Sequence, residues 1–135
     1  MALDLGSGAG FPGIVLAAAR PHLEMSLVEA REKKWAFLAS ASRKAALSCR
    51  CINVRVALPL PPELPRTVDL VTSRALKLEA GVLAALAHRL TPEGRALLWV
   101  GEEDPHWPPI LEKIAERRLG GSERRRILVL RRIPE

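Results

Sequence analysis

The chain has no tyrosine, and its other aromatic residues are three tryptophans and two phenylalanines among 135 residues. A nicotinamide-dependent oxidoreductase would need a His, Lys or Tyr placed for proton transfer. Tyrosine is ruled out, and no His or Lys stands in such a setting. Cysteine is scarce too. Cys49 and Cys51 lie one residue apart at the entry to an expected strand, with neither a second cysteine pair nor a histidine spacing to complete a zinc site. No metal is expected, and the two read as small, partly buried thiols. No apolar run approaches the ~20 residues that span a bilayer. The start also lacks the basic, apolar and small-residue series of a secretory signal, so a cytoplasmic protein without a membrane partner is expected. Internal repeats and low-complexity linkers are missing, and residues 1–135 read as a single domain. Acids are fewer than bases, 15 against 21, with a sequence pI near 10.1. That balance is compatible with a polyanionic partner without proving one.

What is present is concentrated at the start. Leu3-Asp4-Leu5-Gly6-Ser7-Gly8-Ala9-Gly10-Phe11-Pro12-Gly13 passes from a short apolar strand through glycines into an apolar helical stretch. Glycines at 6, 8 and 10 allow positive φ in a tight turn and remove side chains that would hold a ligand off the main chain. Pro12 suits the first turn of a helix, and Arg20-Pro21 ends it. The stretch reads as a nucleotide-binding turn. Gly8, Gly10 and Gly13 match the dinucleotide spacing G-x-G-x-x-G literally, which makes NAD one candidate. Asp4 divides the readings, because a carboxylate at the strand end favours a cationic ligand and repels a pyrophosphate. S-adenosylmethionine carries a sulfonium and an ammonium group, and charge favours it over NAD. The plain alternative is a loop and helix start built from the usual turn residues.

A second strand is expected over 24–29, ending in an acid. Glu29 lies about 20 residues past Gly10, the distance at which a βαβ unit delivers a carboxylate to the ribose hydroxyls of a bound adenosine. Standing alone it would read as a solvated strand end. Residues 31–47 form an amphipathic helix with Trp35, Leu38, Ser42 and Ala45 on one stripe. A third strand covers 51–56, and the prolines of 58–65 make a stiff loop. A fourth strand at 68–71 runs into Thr72-Ser73-Arg74-Ala75. A long helix follows, with Leu83, Leu86 and Leu90 on its stripe, closing at Thr91-Pro92-Glu93-Gly94. Residues 96–100 are a strand buried on both faces. Residues 105–119 read as a helix after Pro108-Pro109, and 127–130 as a last strand. The arginines at 124–126, 131 and 132 suit RNA phosphates or guard an edge strand against aggregation. Strand and helix alternate throughout, which predicts an α/β fold with a mainly parallel sheet and helices on both faces.

With the glycine turn, Glu29 and the residues after strand four in view, the chain resembles the bacterial small-subunit rRNA guanine-N7 methyltransferases, the RsmG or GidB family. The run from Asp4 to Gly13 is similar to that family's cofactor motif almost letter for letter, Gly10-Phe11-Pro12-Gly13 being its most particular part. Val71-Thr72-Ser73-Arg74-Ala75 resembles its second signature, and the similarity extends loosely from Met1 to about Arg132. The resemblance implies a Rossmann-like class I S-adenosylmethionine-dependent methyltransferase fold. It implies S-adenosyl-L-methionine as cofactor, with contacts at Asp4, Gly6, Ser7, Gly8, Gly10, Phe11 and Glu29. It also implies small-subunit ribosomal RNA or a ribosomal particle as partner, with the methyl group passing to guanine N7 of 16S ribosomal RNA. The chain departs from the pattern in places. Family members usually carry a helical segment ahead of the first strand, which here begins at residue 1. Ala57-Leu58-Pro59-Leu60 replaces an Arg-Ala-Glu-like stretch, Trp99-Val100-Gly101-Glu102 a Lys-Gly pair, and Gly120-Gly121-Ser122 a longer excursion. A missing leading helix would leave apolar sheet surface for a second copy to cover, so a homodimer is expected.

Methyl transfer from a sulfonium is an in-line displacement in which the protein mainly positions the nucleophile. An exocyclic amine would call for an Asn/Asp-Pro-Pro-Tyr-like element after strand four, where Thr72-Ser73-Arg74 stands. A pyrimidine carbon would call for a cysteine at the site. Guanine N7 presents a lone pair and needs no base, which suits a site with no evident general base. Arg74 is the residue expected to position substrate, its planar fork suiting a phosphate or guanine O6; the plain alternative is a salt bridge to Glu79. Two other readings stay open: a cofactor- or RNA-binding relative without catalysis, and an NAD-dependent oxidoreductase.

Overall fold

The computed structural model describes residues 1–74 and 77–135. Ala75, the last residue of the second signature, lies outside them. Seven strands and three helices follow in the order β1 (Ala2–Leu5), α1 (Gly13–Ala19), β2 (Met25–Val28), α2 (Glu32–Lys44), β3 (Arg50–Ile52), β4 (Val68–Ser73), α3 (Ala80–Ala87), β5 (Leu90–Val100), β6 (Leu111–Arg118) and β7 (Arg126–Arg132). They form one sheet in the order β3-β2-β1-β4-β5-β7-β6. The first five strands are parallel, and β7 pairs antiparallel with both β5 and β6.

Alternation along the strands sorts the core into two layers, because successive side chains leave a strand on opposite faces. Ala2, Met25 and Leu27 face Ala17 of α1 and Leu38 of α2. Leu3, Leu5, Val28 and Val71 face Val82, Leu83 and Leu86 of α3, a layer that continues through Leu98, Leu128 and Leu130. Helices therefore cover both faces of the parallel part, as expected. The proline-rich stretch at 58–65 forms no helix or strand. Its end turns Leu64 into the core, and Arg89 fixes it by donating to the carbonyls of Leu64, at 3.2 Å, and Pro65, at 2.9 Å.

Three expectations need correction. Residues 105–119 hold a strand, β6, not a helix: Leu111 is buried, Ile114 sits in a register irregularity with its side chain outside, and pairing with β7 decides the conformation. Local periodicity loses to tertiary pairing here. The long helix ends at Ala87, and Thr91-Pro92-Glu93-Gly94 falls inside β5, where the ladder with β4 shifts register between Val68 and Leu70. The strand flanked by arginines, β7, is interior; β6 is the edge.

Candidate functional site

The turn after β1 is built as its glycines suggest. Gly6, Gly8 and Gly10 have φ of 66°, 53° and 99°, the left-handed region that other residues avoid. Gly10 donates its N–H to the Ser7 carbonyl at 2.8 Å, and Ile14 donates to Gly10 at 2.8 Å, which turns the chain directly into α1. Gly13 serves a different purpose. A Cβ there would lie 2.6 Å from Asp4 Oδ2 and overlap Leu27, so its hydrogen lets α1 rest on β1 and β2.

Asp4 lies beneath this turn with none of its surface exposed. Thr72 Oγ1 donates to its Oδ1 at 2.6 Å and Ser7 Oγ to its Oδ2 at 2.8 Å, and the Gly13 N–H adds a third donor. Burial pushes the carboxyl above its ordinary pKa, while the three donors pull it back down. Charge at the strand end predicts a carboxylate facing a cationic ligand; the structure sets it under the loop, tying β1, β4 and α1 together. Ser7 spends its hydroxyl on the same brace and is buried too.

Glu29 caps β2 at the edge of a cavity of about 660 Å³ lined also by Gly6, Val28, Val54, Val56, Leu78 and Val82. It is 8% exposed. The Gly8 N–H donates to Oε1 at 3.2 Å and the Arg31 N–H to Oε2 at 3.0 Å. Asn53, just after β3, donates to the Glu29 carbonyl at 2.9 Å. The carboxylate is thus held in one orientation at the mouth of a chamber whose wall mixes Val28, Val54, Val56, Leu78 and Val82 with the charged Arg31, Arg55, Lys77 and Glu79, and each oxygen keeps an acceptor site. This chamber lies at the carboxyl ends of the parallel strands, beside the β1–β4 junction where the strand order reverses, the switch point at which open α/β sheets bind ligands.

Two further cavities continue along the same ends of the strands. One, of about 690 Å³, is bounded by Ser73, Arg74, Lys77, Glu79, Trp99, Glu103, Asp104 and His106. The other, of about 530 Å³, is bounded by Phe11, Pro12, Val15, Arg74, Trp99, Leu119 and Arg125. Arg74 is exposed and reaches both. Among the described residues no ion pair joins it to Glu79; its guanidinium carbon stands 5.8 Å from the Phe11 ring centre. Phe11 lines the smaller cavity and does not line the Glu29 chamber. His106, Glu103 and Asp104, which the sequence reading does not single out, add two acids and an imidazole to the wall of the larger cavity. The acidic run at 102–104, just after an apolar strand, was the available signal.

The loop carrying these residues is tied down from behind. Arg126, 8% exposed, pairs with Asp104 at 2.7 Å and Glu116 at 2.6 Å. It also donates to the carbonyls of Gly101 and Glu102. Its hydrogen bonds hold both carboxyl groups below their ordinary range. Arg131 pairs with Glu112 at 2.6 Å, so two of the arginines flanking β7 are spent on cross-strand pairing.

Residues 1–106 match the family described as rRNA small subunit methyltransferase G, GidB. The ribosomal RNA small subunit methyltransferase G of Xanthomonas campestris pv. campestris (strain B100) is 42% identical over 100 residues, covering 73% of this chain and 45% of its own length. That of Paracoccus denitrificans (strain Pd 1222) is 39% identical over 100 residues, covering 73% of this chain and 50% of its own. The chain spans about half the length of the curated relatives it matches. In shape it is similar to the mitomycin 7-O-methyltransferase MmcR, with a TM-score of 0.78 at 16% identity over 98% of this chain and 48% of that one. A SAM dependent methyltransferase from Aquifex aeolicus gives 0.72 at 17% identity over 96% and 80%. At such identities the likeness is one of fold, and it agrees with a Rossmann-like class I sheet. The glycine turn, the acid closing β2 and the match over the whole parallel part of the sheet lead to one conclusion: the chain belongs to the rRNA small subunit methyltransferase G family.

Proposed function

We propose that this chain is the methyl-transfer domain of an S-adenosylmethionine-dependent RNA methyltransferase, directed at guanine N7 of small-subunit ribosomal RNA. The observation that carries the reading is Glu29, an acid fixed by two backbone N–H groups at the mouth of a chamber with an apolar patch of Val28, Val54, Val56 and Leu78. Those residues fit an adenosine. The free acceptor sites of Glu29 suit the two ribose hydroxyls, Val28, Val54, Val56 and Leu78 suit the flat apolar base, and Gly6 and Gly8 let the main chain come close. When bound, the cofactor supplies an electrophilic methyl group on its sulfonium. The chain's own residues then position the acceptor, since guanine N7 already offers a lone pair. Arg74 suits O6 or a neighbouring phosphate. Glu79, Glu103 and Asp104 offer acceptors for the N1–H and amino group of the same base. No described helix is long and apolar enough to cross a membrane.

Titration calorimetry tests the cofactor assignment. S-adenosylhomocysteine is expected to bind and NAD to fail. Glu29→Gln weakens the former by about tenfold or more, the loss of hydrogen bonds to a charged group. Preferential NAD binding defeats the assignment. Methyl incorporation into small-subunit RNA tests the rest; intact cofactor binding without incorporation leaves a cofactor-binding relative. Arg74→Ala is expected to lower incorporation and spare cofactor affinity. A second copy of the chain remains part of the proposal, because Leu97, Trp99, Ile127 and Val129 are only half-buried on the face of β5 and β7 away from α3. A monomeric mass in solution rejects it.

A further inference from the structure

The two cavities that share Arg74 and Trp99 differ in charge. The larger mixes acids with bases, whereas the smaller carries only two charged residues, Arg74 and Arg125. Its remaining wall is apolar and includes Phe11, held at the tip of the glycine turn with 55% of its surface exposed. Phe37 is equally exposed, so it is the surroundings of Phe11 that set it apart. Here the ring has a guanidinium 5.8 Å from its centre, within the range of cation–π contact. An aromatic face, an Arg beside it and a second Arg are the parts with which proteins hold single-stranded nucleic acid: the ring and guanidinium plane take the base, and the cations take the backbone.

We propose that this chamber binds one unstacked nucleotide of an RNA strand, adjoining the nucleotide presented in the larger cavity. Its base lies on Phe11 beside Arg74, and its phosphate meets Arg125. The proposal rests on the RNA-substrate reading above and adds to it a subsite with a separate chemical basis. The chamber's volume of about 530 Å³ suits a single nucleotide. Charge complementarity selects an anionic occupant over an apolar peptide segment, because no acid lines the chamber.

The test is fluorescence anisotropy of a short labelled single-stranded RNA with the 135-residue chain, and of an abasic ribose-phosphate strand of equal length. Phe11→Ala is expected to weaken RNA binding about tenfold, and Phe11→Trp to restore it. Phe37→Ala provides the control, since Phe37 is also 55% exposed but stands on α2, away from the chamber. The abasic strand should bind wild type and Phe11→Ala alike, because the lost contact is to a base. Arg125→Ala should reduce the dependence of log affinity on log salt by about 0.7, the value for one phosphate of a single strand. RNA binding indifferent to Phe11→Ala, or an equal loss on the abasic strand, overturns the subsite while leaving the substrate reading in place. An absence of RNA binding by every protein, wild type included, overturns both.

Discussion

The two ends of the sheet are built on different terms. In β1 and β2 every residue is buried, whereas β7 alternates buried with half-buried and β6 exposes nearly all of its length. The parallel end is covered by helices on both faces and has its polar groups under the glycine turn, where Asp4, Ser7 and Thr72 satisfy one another. The antiparallel end is covered by a helix on one face and is held by ion pairs on both: Arg126, on the face of Leu128 and Leu130, pairs with Glu116 and with Asp104 of the preceding loop, and Arg131, on the other face, pairs with Glu112. The difference shows how one sheet can fix a glycine turn by packing and a neighbouring loop by charge.

The largest contrast should come from the core. Leu3→Ala removes a fully buried side chain from the parallel end and is expected to cost about 2–5 kcal/mol. Ile127→Ala, on the half-buried face of β7, should cost about 1 kcal/mol. Equal losses in chemical denaturation would erase the distinction. Next, Thr72→Val takes a donor from the buried Asp4 carboxyl and should cost about 1–3 kcal/mol, whereas Thr91→Val, whose hydroxyl meets the exposed Asp69, should change stability by less than about 0.5 kcal/mol. Glycines sharpen the same point. Gly13→Ala drives a methyl into Asp4 and Leu27 and should cost about 1–3 kcal/mol, while Gly101, with nothing within 4 Å of an added Cβ, should accept alanine within about 0.5 kcal/mol.

The subtlest contrast is in pH. Asp104 and Glu116 are held below the ordinary carboxylate range by Arg126. Their stabilisation is therefore present above about pH 4, where the unfolded groups titrate, and is lost as pH falls through the lower folded values. Asp4 is shifted the other way, so its contribution is greatest in acid and declines as pH rises from its ordinary value to its raised one. Hydrogen exchange at about pH 3 should open the β6–β7 hairpin before β1 and β2; uniform exposure of both ends would contradict the two mechanisms.

These differences also explain what could be read from the residues in order. The glycine turn and Glu29 were legible because the constraint is local: positive φ demands glycine, and a βαβ unit fixes how far along the chain the acid arrives. The parallel strands were legible as short apolar runs. Asp4 was read as facing a ligand because its partners, Thr72 and Gly13, come from other elements, and a sequence does not display which donors will converge on an acid. The stretch at 105–119 failed for a related reason. Its charges, Glu112 and Glu116, look like a solvated helix face until Arg131 and Arg126 are brought opposite them. Phe11 was assigned to the cofactor by its place in a motif, whereas its exposure and its neighbour Arg74 are facts of three dimensions.

Arg74, Trp99, Val100 and Gly101 belong to the walls of both outer chambers. A guanidinium drawn toward a guest in the larger one would leave the Phe11 ring, and a guest on the ring would draw it back. Were both chambers occupied as proposed, the two guests would draw on a single side chain, and thermodynamic linkage would require each to alter the other's affinity by the same factor. Sequence context around a target nucleotide would then register as a change in how firmly the target itself is gripped.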